Sequence, residues 1–134
     1  MSLSWCISHP SRLVLVIAKG EFRPSELADL LKSIDAAKAS RYRKMVDISH
    51  LKGKIPVTVI REFARTVRKR ESEREVGPIA IVAGTGVARG QASLFAQEAQ
   101  GERLIQVFAE QYEARRWLNS FYAFESAQRL ESRH

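Results

Sequence analysis

A chain of 134 residues builds one domain with a buried core and is too short for two. At 45% hydrophobic and 28% charged it falls outside disordered and fibrous compositions, and no apolar run approaches the roughly 20 residues that span a bilayer. The net charge of +7 resides in residues 1–75, which carry 16 basic and 9 acidic side chains against 6 and 6 in the remainder.

In chain order, "LSWCISH" (3–9) alternates, with Leu3, Trp5 and Ile7 on one side and Ser4, Cys6 and Ser8 on the other, the period of a half-buried strand. His9-Pro10-Ser11 breaks it, and "RLVLVIAKGEF" (12–22) is a second strand, so the chain opens with an antiparallel hairpin. Pro24 suits the first turn of a helix, where its missing N–H costs nothing, and Leu27, Leu30, Leu31, Ile34 and Ala37 form that helix's apolar stripe. "KMVDIS" (44–49) is a strand covered on both faces. A second helix follows Pro56, apolar at Ile60, Phe63, Ala64 and Val67 and charged opposite. "GPIAIVAG" (77–84) is another buried strand, Ala88, Ala92, Phe95, Ala96 and Ala99 mark a third helix, "RLIQVF" (103–108) is the last strand, and a final helix carries a break near Asn119. The order ββαβαβαβα predicts an α/β fold with four helices. It has one sheet, an N-terminal antiparallel hairpin and otherwise mostly parallel strands. One domain fills residues 1–134, with 119–134 a C-terminal helical tail.

The charge is densest where Lys38, Arg41, Arg43, Lys44, Lys52 and Lys54 face only Asp47. A rim of this kind speeds encounter with an anionic partner over the screening length of about 8 Å. The expected partner-binding face is this rim, 41–54, with the start of the following helix: Ser49, His50, Lys52, Lys54, Thr58 and Arg61. No basic leader precedes an apolar stretch and Cys6 is the sole cysteine, so the expectation is a cytoplasmic protein without a disulfide or a cysteine zinc cluster. Cys6, among apolar neighbours, reads as a small hydrophobe.

Catalytic and cofactor patterns fail individually. The loop Gly84, Thr85, Gly86, Arg89, Gly90 spaces its glycines as G-x-G-x-x-x-G, and no lysine lies between 76 and 134 to meet a phosphate. A dinucleotide fingerprint misses by one residue. What remains is a tight strand-to-helix turn, with a weak nucleotide or anion site at the helix N-terminus as the alternative. Asp47, Ser49 and His50 are neighbours on a strand, which sends alternate side chains to opposite faces, and nothing there resembles a nucleophile elbow. Asp47 and Ser49 read as hydrogen-bonding the turn that ends the strand. His9, His50 and His134 have no metal-ligand spacing. Glu71, Glu73 and Glu75 read as a solvated face, and the strand aromatics Trp5, Phe22 and Phe108 make no RNA-stacking platform. The residues therefore predict no catalytic group, no metal, no cofactor and no specific nucleic-acid binding.

The opening hairpin, "MVDIS", "GPIAIVAG" and "RLIQVFAEQYEARRWL", with Val107, Phe108, Ala114, Trp117 and Leu118, resemble the STAS superfamily, in particular its SpoIIAA-like branch, related in fold to the lipid-binding SEC14 (CRAL-TRIO) domains. The resemblance implies a small non-enzymatic module that binds protein partners and sometimes nucleotides or lipids. It would act in bacterial regulation of the stress or sigma-factor type on an unidentified partner with an acidic surface. Members of that type carry a phosphorylated serine after the central strand. Here that region is "KIPVT" (54–58), where only Thr58 offers a hydroxyl, so the usual phosphoserine is missing. The SEC14 side implies an alternative, a small-molecule or lipid carrier lined by the helix 88–99 and by Trp117, Phe121, Tyr122 and Phe124. Exposed Phe121 and Phe124 would instead make the tail a homodimer surface.

Overall fold

The computed structural model describes residues 2–84, 86–101 and 103–132, the side chains of 122–132 excepted. Its elements are β1 (Leu3–Ser8), β2 (Leu13–Gly20), α1 (Pro24–Ala36), β3 (Arg43–Leu51), α2 (Val57–Glu73), β4 (Ile79–Val82), α3 (Gly86–Ala99), β5 (Ile105–Phe108) and α4 (Gln111–Ser132). The order is the predicted one. Strand ends differ: β3 runs longer than predicted, and β1, β2, β4 and β5 are shorter. The second strand stops at Gly20 rather than Phe22, because Gly20 turns the chain at φ +71°. The last helix runs unbroken past Asn119.

A single sheet holds the strands in the order β1-β2-β3-β4-β5, with β1 antiparallel to β2 and the rest parallel. Each parallel strand is added on the same side of its predecessor, and right-handed crossovers then put α1, α2 and α3 on one face. α4 follows the last strand and returns over the other face, where Ala114 and Leu118 bury against Met45, Ala80 and Val82. Burying Leu118 alone contributes about 1.5–3 kcal/mol. α4 packs on β3, β4 and β5. It leaves the outer face of β1 open, so Cys6 is exposed and the expectation that it acts as a small core hydrophobe is corrected.

α1 begins at Pro24 in the first turn, as expected. Glu26, one turn in, accepts hydrogen bonds from Ser2 N (3.0 Å), Ser2 Oγ (2.9 Å) and Leu3 N (2.7 Å), which ties the start of β1 to the helix. Those donors hold the Glu26 carboxyl below its usual range, against the opposing effect of burial.

The helical face carries two cores. Val14, Val16 and Ala18 of the hairpin pack with Leu30 and Ile34 of α1. Ile79, Ile81 and Ile105 pack with Ala64, Val67, Ala92 and Ala99 of α2 and α3. Val46 and Ile48 on β3 touch both cores. α1 rests on β1 while α2 leans on α3, so the two helices straddle β3.

Candidate functional site

A cavity of about 150 Å³ fills the space over β3 between α1 and α2. Its walls are apolar: Leu27, Leu30 and Ile34 from α1, Val46 and Ile48 from β3, and Phe63 from α2. Leu51, the last residue of β3, with Phe22 and Ile55 from the connections after β2 and β3, bounds it at the C-terminal ends of the strands. Gln91 on α3 secures that end, its Oε1 accepting a hydrogen bond from Ile55 N–H.

The opposite end is cationic. Lys44, Arg70 and Arg103 line it. Lys44 lies on the same face of β3 as Val46 and Ile48 and is buried, its Nζ donating to the carbonyl oxygens of Ser40 (2.7 Å) and Tyr42 (2.8 Å). No carboxylate meets Lys44 among the described residues. Burial, with the nearby guanidinium groups of Arg103 and Arg70, pushes the Lys44 ammonium down to about 7, and Asp35 opposes this only weakly. Arg103 is 9% exposed, and among the described residues its buried Nε has no hydrogen-bond partner. Burial pulls Arg103 down to about 10 despite the attraction of Glu71, so it remains charged at neutral pH. Arg70 is held by Asp35 of α1 through bonds of 2.9 and 2.6 Å. One end of the apolar chamber is thus closed by a buried lysine and a buried guanidinium.

The structure divides the basic rim expected from sequence. Arg43 and Lys44 are buried rather than on a rim, because they occupy the doubly covered start of β3. Arg43 points to the α4 side and donates to Leu118 O (3.1 Å) and Ser11 O (2.6 Å). Arg41 pairs with Glu75 at 2.7 Å. Ser49, His50, Lys52, Lys54, Thr58 and Arg61 are all exposed toward the other end of β3 and around the β3–α2 connection; the strand itself spans roughly 26 Å from Arg43 to Leu51. Of these, Arg61 contacts Glu98 on α3 at 3.4 Å.

The glycine loop abuts that exposed cluster, since Gln91 bonds Ile55. Gly86 opens α3 at φ +67°, and Arg89 folds back to donate to Ala83 O at 3.4 Å, closing the turn on itself. Gly84 is half-buried, and Thr85 lies outside the described residues. Asp47 accepts from Ser49 N (2.9 Å) and from Gln111 Nε2 on α4 (2.7 Å). It therefore joins β3 to α4 and does not hold a terminal turn. Burial raises its carboxyl, but the Gln111 and Ser49 donors outweigh that and lower it. Ser49 Oγ donates to Val82 O (3.4 Å). His9 meets the Tyr42 hydroxyl at 2.7 Å. Among the described residues no three His, Cys, Asp or Glu side chains gather to hold a metal.

Two further expectations are corrected. Glu71 is not simply solvated, because its Oε1 accepts from Arg103 N–H at 2.8 Å and shapes the cationic end. Trp117 and Phe121 do not line the cavity. They pack on each other at 4.9 Å, and Trp117 on Phe108, on the face opposite α1 and α2. Of the alanine-rich helix, Gln91, Ala92 and Phe95 do reach the cavity. The side chains of Tyr122 and Phe124, and with them most of the proposed tail dimer surface, lie outside the described residues.

Lys44, Arg70 and Arg103 were missing from the sequence-derived site. One signal was available: in "KMVDIS" the alternation places a lysine in phase with Val46 and Ile48 on a face that must be buried. Arg70 and Arg103 come from distant elements and carried no local sign of convergence.

No family model and no curated protein matches this chain. Among solved structures it is similar to an uncharacterized protein of the DUF3478 family, described as having a SpoIIAA-like fold, from Shewanella loihica PV-4. The likeness has a TM-score of 0.60 and 15% sequence identity, over 87% of this chain and 91% of that one. At such identity the likeness speaks to fold. The chain has the SpoIIAA-like, STAS-type fold that the sequence resemblance implied. No helix among the described residues is long and apolar enough to cross a membrane.

Proposed function

We propose that this SpoIIAA-like domain is a non-enzymatic binding module that holds a small apolar molecule between α1, α2 and the sheet. The cavity over β3 carries this reading. Protein interiors pack like organic crystals, and apolar walls that face unfilled space lack packing partners. An occupant supplies them.

A regulatory role through a protein partner with an acidic surface fits the same module, and one observation favours it. Ile55 lines the cavity and lies in the same connection as exposed Lys52 and Lys54. Filling the cavity would therefore be felt at the basic surface a partner meets.

Native mass spectrometry of the purified chain tests the binding function. The expected result is a small-molecule adduct on the wild type that is missing from Val46→Phe, whose ring grows into the cavity. Apo masses in every preparation, together with no thermal shift from any apolar compound at saturating concentration, would remove the support.

A further inference from the structure

The cavity's two ends differ in chemistry, and the difference selects among apolar ligands. We infer that the occupant is a small monocarboxylic acid, its carboxylate received by Lys44 and Arg103 and its hydrocarbon part lying against Val46, Ile48 and Phe63. This rests on the binding function proposed above and adds the class of ligand.

Three observations converge on an anionic head. First, Lys44 Nζ has three donors when charged, and two go to the carbonyls of Ser40 and Tyr42. The third has no acceptor among the described residues. Second, the buried Nε of Arg103 has no partner among the described residues, and Arg103 lines the same cavity and is 9% exposed. Orphaned buried donors of this kind are rare and costly, and an incoming oxygen would satisfy both. Third, the local charges do not cancel. Lys44, Arg70, Arg74 and Arg103 face Asp35, Glu71 and Glu73, which leaves one cation over among the described residues. Asp35 is engaged by Arg70 and Arg74, and Glu71 accepts from the backbone of Arg103. Among the described residues Lys44 makes no ion pair, which matches one negative charge on the ligand. The lowering of the Lys44 ammonium to about 7 agrees with a site that becomes fully charged when an anion arrives.

Size limits the hydrocarbon part. Apolar cavities of this volume accept a benzene-sized molecule, or about six carbons. Heptanoate, with about six chain carbons behind its carboxyl, is the natural probe. Heptanol keeps the chain and loses the charge, and heptylamine reverses it.

Titration calorimetry of the full chain with these three compounds tests the inference. Heptanoate should bind about tenfold or more tightly than heptanol, and heptylamine should not bind measurably, because charge-assisted bonds are the stronger kind. In Arg103→Gln and Lys44→Met the preference for heptanoate should collapse while heptanol binding persists. Equal affinity for heptanoate and heptanol, or tighter binding of heptanol, would overturn the anionic head and leave the apolar cavity standing. Failure of both to bind the folded wild type would remove the cavity function itself. Should either variant fail to fold, the wild type with carboxyl-labelled heptanoate decides by NMR. A bound carboxyl that stays ionised below the pH at which the free acid protonates supports the contact, and one that titrates like the free acid refutes it.

Discussion

Arg70 on α2 grips Asp35 on α1 through two parallel hydrogen bonds of 2.9 and 2.6 Å, and Arg74 adds a contact of 2.9 Å to the same carboxylate. This is the ionic clasp between the two helices that flank the cavity. The Arg70 hydrogen bonds pull the Asp35 carboxyl from 3.8 down to about 2, with burial opposing and Arg74 assisting. A depressed carboxylate contributes stability that is complete above its unfolded value and is lost as pH falls through its folded value. The window is therefore from about pH 4 down to about pH 2. Asp35 is 39% exposed, so solvent screening leaves a contribution of about 1 kcal/mol. Urea denaturation should place Asp35→Asn about 1 kcal/mol below wild type at pH 7, with the gap closing toward about pH 2. Identical midpoints at pH 7 would mean the clasp is energetically idle.

Lys44 shifts stability in the same direction but in a higher pH window. Its ammonium falls from 10.5 in the unfolded chain to about 7 in the fold, chiefly through burial and then through Arg103 and Arg70. Between those values the unfolded chain binds a proton that the native chain does not, so stability rises with pH across about 7 to 10.5. The slope attributable to this residue reaches at most about 1.4 kcal/mol per pH unit. Subtracting the stability curve of Lys44→Met from that of wild type isolates it, and a flat difference would show that Lys44 is not buried as described. The same titration links to the ligand. An anion bound at pH 8 should draw a proton onto Lys44, seen as a binding enthalpy that changes with the ionisation heat of the buffer.

Most of the fold was legible because its signals are local. The alternation in "LSWCIS" and the apolar runs "MVDIS" and "IAIV" identify strands, and the stripe from Leu27 to Ile34 identifies a helix. The cavity was not legible. It arises because α1 rests on the hairpin while α2 leans on α3, a packing choice made by residues far apart in sequence. Charge misled for a related reason. Lys38 to Lys54 reads as one basic run, yet strand geometry carries its members from one end of the sheet to the other and buries Arg43 and Lys44 on opposite faces of β3. Asn119 looked like a helix break on propensity, and burial of the neighbouring Leu118 overrides it.

Gly77, just before β4, is where the backbone admits no side chain. A Cβ there would sit 2.3 Å from Tyr42 O and 2.5 Å from Arg41 O, both main-chain atoms that cannot rotate away. The Gly77 N–H also donates to Ser40 O at 3.0 Å, which fixes the segment whose carbonyls hold Lys44. Gly77→Ala should cost about 2–3 kcal/mol in denaturant unfolding. Gly90, inside α3 with nothing near its missing Cβ, is the control. There alanine should stabilise by about 0.5–1 kcal/mol through helix propensity. A tolerated Gly77→Ala would mean that the 40–44 segment can move, and with it the Lys44 site.

Val46→Phe asks whether the cavity persists in solution. Val46 stands on β3 where the two helical cores meet, and its side chain lines the void. In a close-packed core, enlarging valine to phenylalanine forces strain of about 1–3 kcal/mol. In a void of about 150 Å³ the ring enters empty space and recovers contacts that the wild type lacks, for a gain of about 1–2 kcal/mol. The two cases differ in the sign of the stability change, so thermal or chemical unfolding separates them without knowledge of the ligand. The expected outcome is a more stable protein that no longer responds to heptanoate. A destabilised variant would indicate that α1 and α2 close over β3 in the free protein, and that any ligand must then displace them to enter.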